Sequence, residues 1–250
     1  MNMTMQEQLK INKQSWDESA ERFFGRTALP EYGPHAPTEE KLQLFDPLAG
    51  KKVLEVGCGS GHSLLYMLNH GVDEAVGLDL SKVQIETARR VVGDSVKVKL
   101  YESPMEENPG LVENDFDIAY SIFALGWTLD LHQTLSNVYS YIKPGGSFIF
   151  SWEHPLHGLM DYKEGVIYFS ESYWEETRNL HKAWAPRPAV YQHRKLSTYL
   201  NELIRVGFTI EQVIEDVEIQ ERERGGNPSS WYSEFKAGYL PATMIVKCRK

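Results

Sequence analysis

Residues 53–61 read Val-Leu-Glu-Val-Gly-Cys-Gly-Ser-Gly, a stretch whose residue types suit holding a ligand rather than filling a core. Glycine allows positive φ and leaves no Cβ where a ligand must approach the backbone. Val53, Leu54 and Val56 predict a short buried strand, interrupted only by the acid Glu55. Leu64-Leu65-Tyr66-Met67-Leu68 predicts a helix, and its unpaired N-terminal N–H groups can meet polar ligand atoms. Strand, glycine turn and helix in succession make a nucleotide-binding geometry. The spacing of Gly57, Gly59 and Gly61 is G-x-G-x-G, not the G-x-G-x-x-G of dinucleotide sites, and no G-K-[S/T] follows as in a P-loop. A second acid, Asp79, closes the apolar run Ala75-Val76-Gly77-Leu78, 22 positions beyond Gly57. Alone it reads as the cap of the helix that Ser81 begins. Beside the glycine turn it reads as a carboxylate that accepts hydrogen bonds from both hydroxyls of a ribose.

The elements that must position these groups follow in order. Residues 6–24 predict a helix presenting Leu9, Trp16, Ala20, Phe23 and Phe24. Residues 29–37 are irregular, because three prolines and a glycine block regular pairing. Thr38 predicts an N-cap for a helix through Leu42, Leu44 and Phe45. Residues 96–101 alternate as an edge strand and end at Glu102-Ser103-Pro104-Met105. Residues 116–121 predict a fourth strand, followed by Ile122-Phe123-Ala124-Leu125. A helix over 131–141 then meets Lys143-Pro144-Gly145-Gly146, where proline stops the helix and the glycines allow a sharp reversal into a fifth strand over 147–151.

Beyond Trp152 the composition becomes aromatic. Residues 152–195 hold Trp152, Tyr162, Tyr168, Phe169, Tyr173, Trp174, Trp184 and Tyr191, with His154, His157, His181 and His193. Residues 166–169 and 189–193 predict a pair of strands in a small cap beside the carboxyl edge of the sheet, where ligands bind in open α/β folds. Such a surface suits an apolar or planar substrate; it equally suits covering the core or a dimer contact. Ser197 predicts the cap of a last helix that ends at Gly207. Strand 208–214, a solvated connection over 218–230 and a terminal strand over 240–248 complete the chain.

The glycine turn with Glu55 two places ahead, Asp79, the Phe116-Asp117-x-x-x-Ser121 strand and the Lys143-Pro144-Gly145-Gly146 turn, in this order, resemble the motifs of class I S-adenosylmethionine-dependent methyltransferases, over roughly residues 38–151. The resemblance implies a Rossmann-like three-layer α/β/α fold: a seven-stranded, mostly parallel sheet with its last strand antiparallel, an N-terminal helical lid and an aromatic cap inserted after strand five. One domain is expected, with lid 1–37, cofactor core 38–151, cap 152–195 and C-terminal helix and strands 196–250. The resemblance also implies S-adenosylmethionine as cofactor, S-adenosylhomocysteine as product, and contacts from Glu55, Gly57, Cys58, Gly59, Gly61, Asp79, Leu80, Ser103, Pro104, Met105 and Ser121. Glu55 is expected to organise the turn near the methionine ammonium.

A sulfonium methyl is already electrophilic, so the protein must hold a nucleophile in line and exclude water. A base is needed only where the acceptor is protonated. Glu153, His154 and His157 follow strand five, and His154 is the candidate base. The expected acceptor is a small molecule. A protein or RNA acceptor, a non-catalytic cofactor-binding module and a nicotinamide oxidoreductase are the alternatives, the last opposed by the glycine spacing. A net charge of −9 argues against broad binding to a nucleic-acid backbone. Ser121-Ile122-Phe123-Ala124 also lacks the [D/N/S]-P-P-[Y/F/W] signature of nucleic-acid amino-methylases. The two cysteines, Cys58 and Cys248, offer no metal-ligand spacing, and no metal is expected. A polar start over residues 1–13 and the lack of any span-length apolar run predict a cytoplasmic protein with no membrane span. Nothing in the sequence speaks to oligomeric state.

Overall fold

The computed structural model describes residues 3–181 and 187–250; Trp184 of the expected cap lies outside them. Helix α1 (Met5–Ser19) is followed by a 3-10 turn (Glu21–Phe23) and by α2 (Glu39–Leu42). The core then runs β1 (Lys52–Val56), α3 (His62–Asn69), β2 (Glu74–Asp79), α4 (Lys82–Val92), β3 (Val98–Glu102), β4 (Phe116–Ile122), α5 (Leu131–Tyr141) and β5 (Ile142–Glu153). Short strands β6 (Met160–Lys163), β7 (Val166–Phe169), β8 (Arg178–His181) and β9 (Ala189–Gln192) precede α6 (Leu196–Val206), β10 (Thr209–Ile214), α7 (Glu234–Ala237) and β11 (Thr243–Arg249).

Seven strands form one sheet in the order β10-β11-β5-β4-β1-β2-β3. Strands β1 to β5 pair in parallel, and β11 runs antiparallel to both β5 and β10. Alternate side chains along each strand face two separate apolar clusters, as the period of two requires. Leu54, Val76, Ala119, Phe148 and Val246 join α5 and α6 on one face. Val53, Ala75, Ile118, Ile149 and Ile245 join α3 and α4 on the other. The order reverses at β1, which neighbours β4 on one side and β2 on the other, so the carboxyl ends of β1 and β4 part to leave a crevice. Among the described residues, no helix is long and apolar enough to cross a membrane.

Several local expectations are corrected. Helix α2 is one turn long and Thr38 makes no capping bond; the buried Glu39 carboxylate instead accepts the N–H groups of Leu44 and Phe45 and turns the chain away. Strand β3 begins at Val98, because Val96 is 98% exposed. Lys143-Pro144-Gly145-Gly146 lies inside β5 as a bulge, between the pairs Phe116↔Ile142 and Ile118↔Ser147. The last residue pins it, since Gly145 N–H donates to the Lys250 carbonyl and Lys250 N–H to that of Gly146. Helix α6 starts one residue before Ser197, with Lys195 at the cap position and no side-chain cap. The cap is two hairpins, β6 with β7 and β8 with β9, so 166–169 and 189–193 do not pair with each other.

Helix α1 buries a polar face. Gln8, Asn12, Ser15 and Ser19 are its buried residues, whereas Leu9 and Trp16 are half-buried and Phe24 beyond it is 54% exposed. The helix lies between backbone groups rather than on an apolar sheet face. On one side Asn12 brackets Val190, donating to its carbonyl (3.1 Å) and accepting from its N–H (2.6 Å), while Ser15 donates to the Arg187 carbonyl (2.9 Å). On the other, Asp17 accepts from Ser81 Oγ (2.6 Å) and Val83 N–H (3.2 Å), and Lys13 donates to the Leu80 carbonyl (3.2 Å) and Glu102 (2.7 Å). Replacing Asn12 strands two buried backbone groups of β9. Asn12→Ala is therefore expected to lower stability by about 2 kcal/mol in urea unfolding; an unchanged midpoint would show that water replaces both bonds.

Candidate active site

The carboxyl ends of β1 to β5 open into a cavity of about 230 Å³. Its floor is the turn after β1. Gly57 and Cys58 both donate their N–H groups to the Leu78 carbonyl (2.8 and 2.9 Å), which ties the turn to β2. Asp79 completes the tie: one carboxylate oxygen accepts Gly59 N–H (2.9 Å) and the other accepts Ser81 N–H (2.8 Å). Burial pushes the Asp79 carboxyl up to about 6 despite these two donors, and the nearby Asp17 adds to the rise.

Each glycine serves a different end. A Cβ on Gly57 would lie 2.3 Å from the Ala124 Cβ, so this residue lets the chain after β4 approach the turn. Gly59, at φ +48°, would project its Cβ into open space against the cavity. Gly61 does not line the cavity; its missing Cβ lets α3 pack on Ala88, which would otherwise stand 2.9 Å away. Glu55 does line the cavity, yet it makes no bond to the turn. Its buried carboxylate accepts from Tyr120 Oη (3.3 Å), and burial holds its pKa well above the carboxylate range. Asp79 bonds the turn directly, and Glu55 does not.

Cys58, Leu80, Ser103, Pro104 and Met105 line the cavity where expected. Ser121 does not: it is fully buried and donates to the Val56 carbonyl (2.8 Å), stitching β4 to β1, so the lining passes to Ile122, Phe123 and Ala124. His154 is also placed elsewhere. Its Nδ1 accepts Leu156 N–H (3.2 Å) and its Nε2 donates to Glu215 (2.7 Å), which uses both ring nitrogens away from the cavity. Burial lowers its pKa, with Glu215 opposing. His157 donates through Nε2 to the Trp231 carbonyl (2.8 Å), and burial pushes it down to about 4.

Residues beyond those expected complete the walls. Gln84, in the first turn of α4, lines the cavity and is 3% exposed, and its Oε1 has no partner among the described residues. Its signal was its place one turn beyond Asp79. Leu9, Asn12 and Trp16 of α1 and Arg26, Thr27 and Ala28 cover the floor, the latter fastened where Gly25 N–H meets Ser60 Oγ (3.1 Å). Opposite lie Phe123, Trp127, Trp152 and Tyr232. Of the expected cap aromatics among the described residues, Trp152 alone lines the cavity, and Tyr191 backs it with its ring 6.5 Å from Trp152. Tyr168, Phe169 and Trp174 are exposed. The cap acts through its cations instead: Arg194 donates to the carbonyls of Gly126 (3.3 Å) and Thr128 (2.6 Å), and Arg178 to that of Leu129 (2.7 Å), which fixes the loop bearing Trp127.

A family model described as a methyltransferase domain matches residues 54–150. An S-adenosylmethionine-dependent methyltransferase from Mesorhizobium loti superposes with a TM-score of 0.72 at 27% identity, covering 84% of this chain and 95% of that one. The chain belongs to the class I S-adenosylmethionine-dependent methyltransferases. An uncharacterized Haemophilus influenzae protein is 31% identical over 84% of this chain and 85% of its own length. Partial matches include phosphoethanolamine N-methyltransferase 1 of Triticum aestivum, 33% identical over 52% of this chain and 26% of that one. The tRNA U34 carboxymethyltransferase of Cronobacter sakazakii is 30% identical over 48% and 37%. This chain thus spans about a quarter to a third of those two proteins.

S-adenosylmethionine is the cofactor of the family, and the cavity suits it on two counts. Gln84 Oε1 is a buried acceptor in want of a donor, and the space beyond Gly59 is bare backbone that any side chain would fill. His154→Ala is expected to leave turnover and cofactor affinity near wild-type values while costing about 1 kcal/mol of stability from the lost Glu215 contact. Steady-state kinetics beside urea unfolding checks this; a selective fall in turnover would return His154 to the chemistry.

Proposed function

We propose that this methyltransferase acts on a small, planar, largely apolar acceptor held against Phe123, Trp127, Trp152 and Tyr232. The observation that carries the reading is that one cavity joins the glycine turn and Asp79 to this aromatic wall, so both reactants share a single covered space. Bound cofactor supplies an electrophilic methyl group on a sulfonium. The chain's own residues hold, orient and keep out water.

Asp79 takes the ribose hydroxyls, since each of its oxygens keeps a lone pair beyond the one used by Gly59 or Ser81. Leu80 and Met105 flank the adenine, with Ser103 and Pro104 at its edge and Gln84 Oε1 as a further acceptor. Gly57, Cys58 and Gly59 carry the methionine chain, Glu55 lies toward its ammonium, and the exposed Arg26 meets its carboxylate. Trp16 bridges the two halves, its ring 5.3 Å from both Phe23 and Trp127, and so helps exclude water. Orientation then does most of the work, as expected for transfer between two bound partners.

Transfer to tRNA is the second reading, favoured by the partial match to the tRNA U34 enzyme. The net charge of −9 and the cover of α1 over the cavity weigh against it. Incubation with methyl-labelled S-adenosylmethionine, a panel of phenols, anilines and N-heterocycles, and bulk tRNA separates the two. Label on small molecules is expected; label on tRNA alone overturns the proposal.

Asp79 makes a pH prediction. Its carboxyl titrates near 6 before cofactor binds, and the ionised form is the better acceptor for ribose hydroxyls. Affinity is therefore complete above about pH 6 and falls as pH drops through it, toward about tenfold per unit. Asp79→Asn is expected to bind S-adenosylhomocysteine about 100-fold more weakly and to lose this dependence in calorimetry. A retained pH dependence would transfer the titration to another group.

A further inference from the structure

We propose that Tyr232 and Glu153 form a proton relay, and that the site therefore takes a protic acceptor, an O–H or N–H nucleophile on a planar ring. The proposal rests on the small-molecule reading above and adds the chemistry of the accepting atom. Glu153 ends β5, paired with Thr243 of β11, and is 8% exposed. Its Oε2 accepts from Tyr232 Oη (2.7 Å) and from the indole N–H of Trp231. Tyr232 lines the cavity, and Glu153 lies behind it.

A phenol carries one proton, and that of Tyr232 is committed to the carboxylate; the Trp231 indole, which can only donate, reaches both Glu153 and the Tyr232 hydroxyl. What Tyr232 Oη has left for a ligand in the cavity is therefore its remaining lone pair. The neighbouring wall is aromatic: Phe123 meets the Tyr232 ring edge-on at 6.0 Å and Trp152 lies beyond it at 5.4 Å from Phe123. A hydrogen-bond acceptor set in an aromatic wall selects a donor on a flat ring. A phenol, aniline or N–H heterocycle brings that donor on the atom to be methylated.

The proton has a complete path. The acceptor heteroatom bonds the methyl carbon with its lone pair, and the carbon–sulfur pair is left on sulfur. The heteroatom's X–H bond then breaks toward Tyr232 Oη, whose own proton passes to Glu153 Oε2. After product leaves, the proton returns through Tyr232 to water. Burial raises the Glu153 carboxyl and suits it to hold the proton, while the hydrogen bonds from Trp231 and Tyr232, and then Lys236, pull the other way without cancelling the rise. The His157 ring, stacked on Tyr232 at 5.3 Å, stays neutral and does not compete.

The test uses the full chain, methyl-labelled cofactor and three phenols of rising acidity: 4-methoxyphenol, phenol and 4-nitrophenol. Pyridine, a planar nucleophile with no proton to lose, accompanies them. Tyr232→Phe keeps the ring, and cofactor affinity by calorimetry is expected to stay within about twofold. Transfer to 4-methoxyphenol should fall about 100-fold or more, and transfer to the largely ionised 4-nitrophenol less than about fivefold. Glu153→Gln should repeat the pattern; where that variant fails to fold, Tyr232→Phe decides. Equal losses across the series, or none, overturn the relay. Label on pyridine but on no phenol overturns the protic acceptor and leaves the small-molecule reading standing. Label on neither, with cofactor bound, sinks both.

Discussion

One carboxylate holds the cofactor side together. Asp79 binds peptide N–H groups from two elements, Gly59 in the turn after β1 and Ser81 at the head of α4. The turn needs such ties, because Gly57 and Gly59 bring no side chains to anchor it and, lacking a Cβ, are the residues with the most backbone freedom. Leu78 supplies a second restraint by accepting two N–H groups on its single carbonyl, and Ser60 a third by accepting Gly25 N–H. Helix α1 attaches to the same corner through Asp17, which bonds Ser81 Oγ and Val83 N–H. Turn, cover and adenine-side helix thus meet at two neighbouring acids, and their proximity helps hold Asp79 above the ordinary carboxylate range.

This concentration explains which parts were legible from sequence. The cofactor side is built from contiguous strand–turn–helix units, where period-two burial and glycine spacing are written into adjacent residues. Strands β1, β2 and β4, helix α5 and the antiparallel β11 fall where composition and the family resemblance place them. The errors have physical causes. A proline and two glycines after a helix signal a turn equally well outside a strand or as a bulge within one, and only the pairing of Gly145 and Gly146 with Lys250 decides. Ser121 sits at the end of β4, but a strand's alternation turns its side chain into the sheet and leaves the next three residues to face the crevice.

Helix α1 misleads for a different reason. Apolar residues in a helix are normally read as its docking face. Here the docking face is Gln8, Asn12, Ser15 and Ser19: Asn12 and Ser15 meet backbone groups of Val190 and Arg187 and Gln8 accepts from the Arg178 guanidinium, while Leu9 and Trp16 serve the cavity. A polar face that pairs with another segment's peptide groups has no signature in its own sequence. The aromatic composition of 152–195 misled in the opposite sense. Several of its rings are exposed, and its service to the site is the anchoring of a distant loop by Arg178 and Arg194.

The two halves of the cavity therefore differ in how the chain specifies them. The half around the glycine turn comes from residues 55–59, 79–84 and 103–105, short segments at successive strand ends. The aromatic half draws Phe123, Trp127, Trp152 and Tyr232 from four segments, with Glu153, Trp231 and Arg194 behind them. Gly126 marks how closely these are fitted: a Cβ there would lie 1.8 Å from the Trp152 indole, so the loop bearing Trp127 and the end of β5 must change together. The segment carrying Tyr232 lies between β10 and β11 without entering the sheet, and its bonds to Glu153 and His157 hold it there. Its pairing with Glu153 thus joins two segments that, among the described residues, share no bond with Asp79 or the glycine turn.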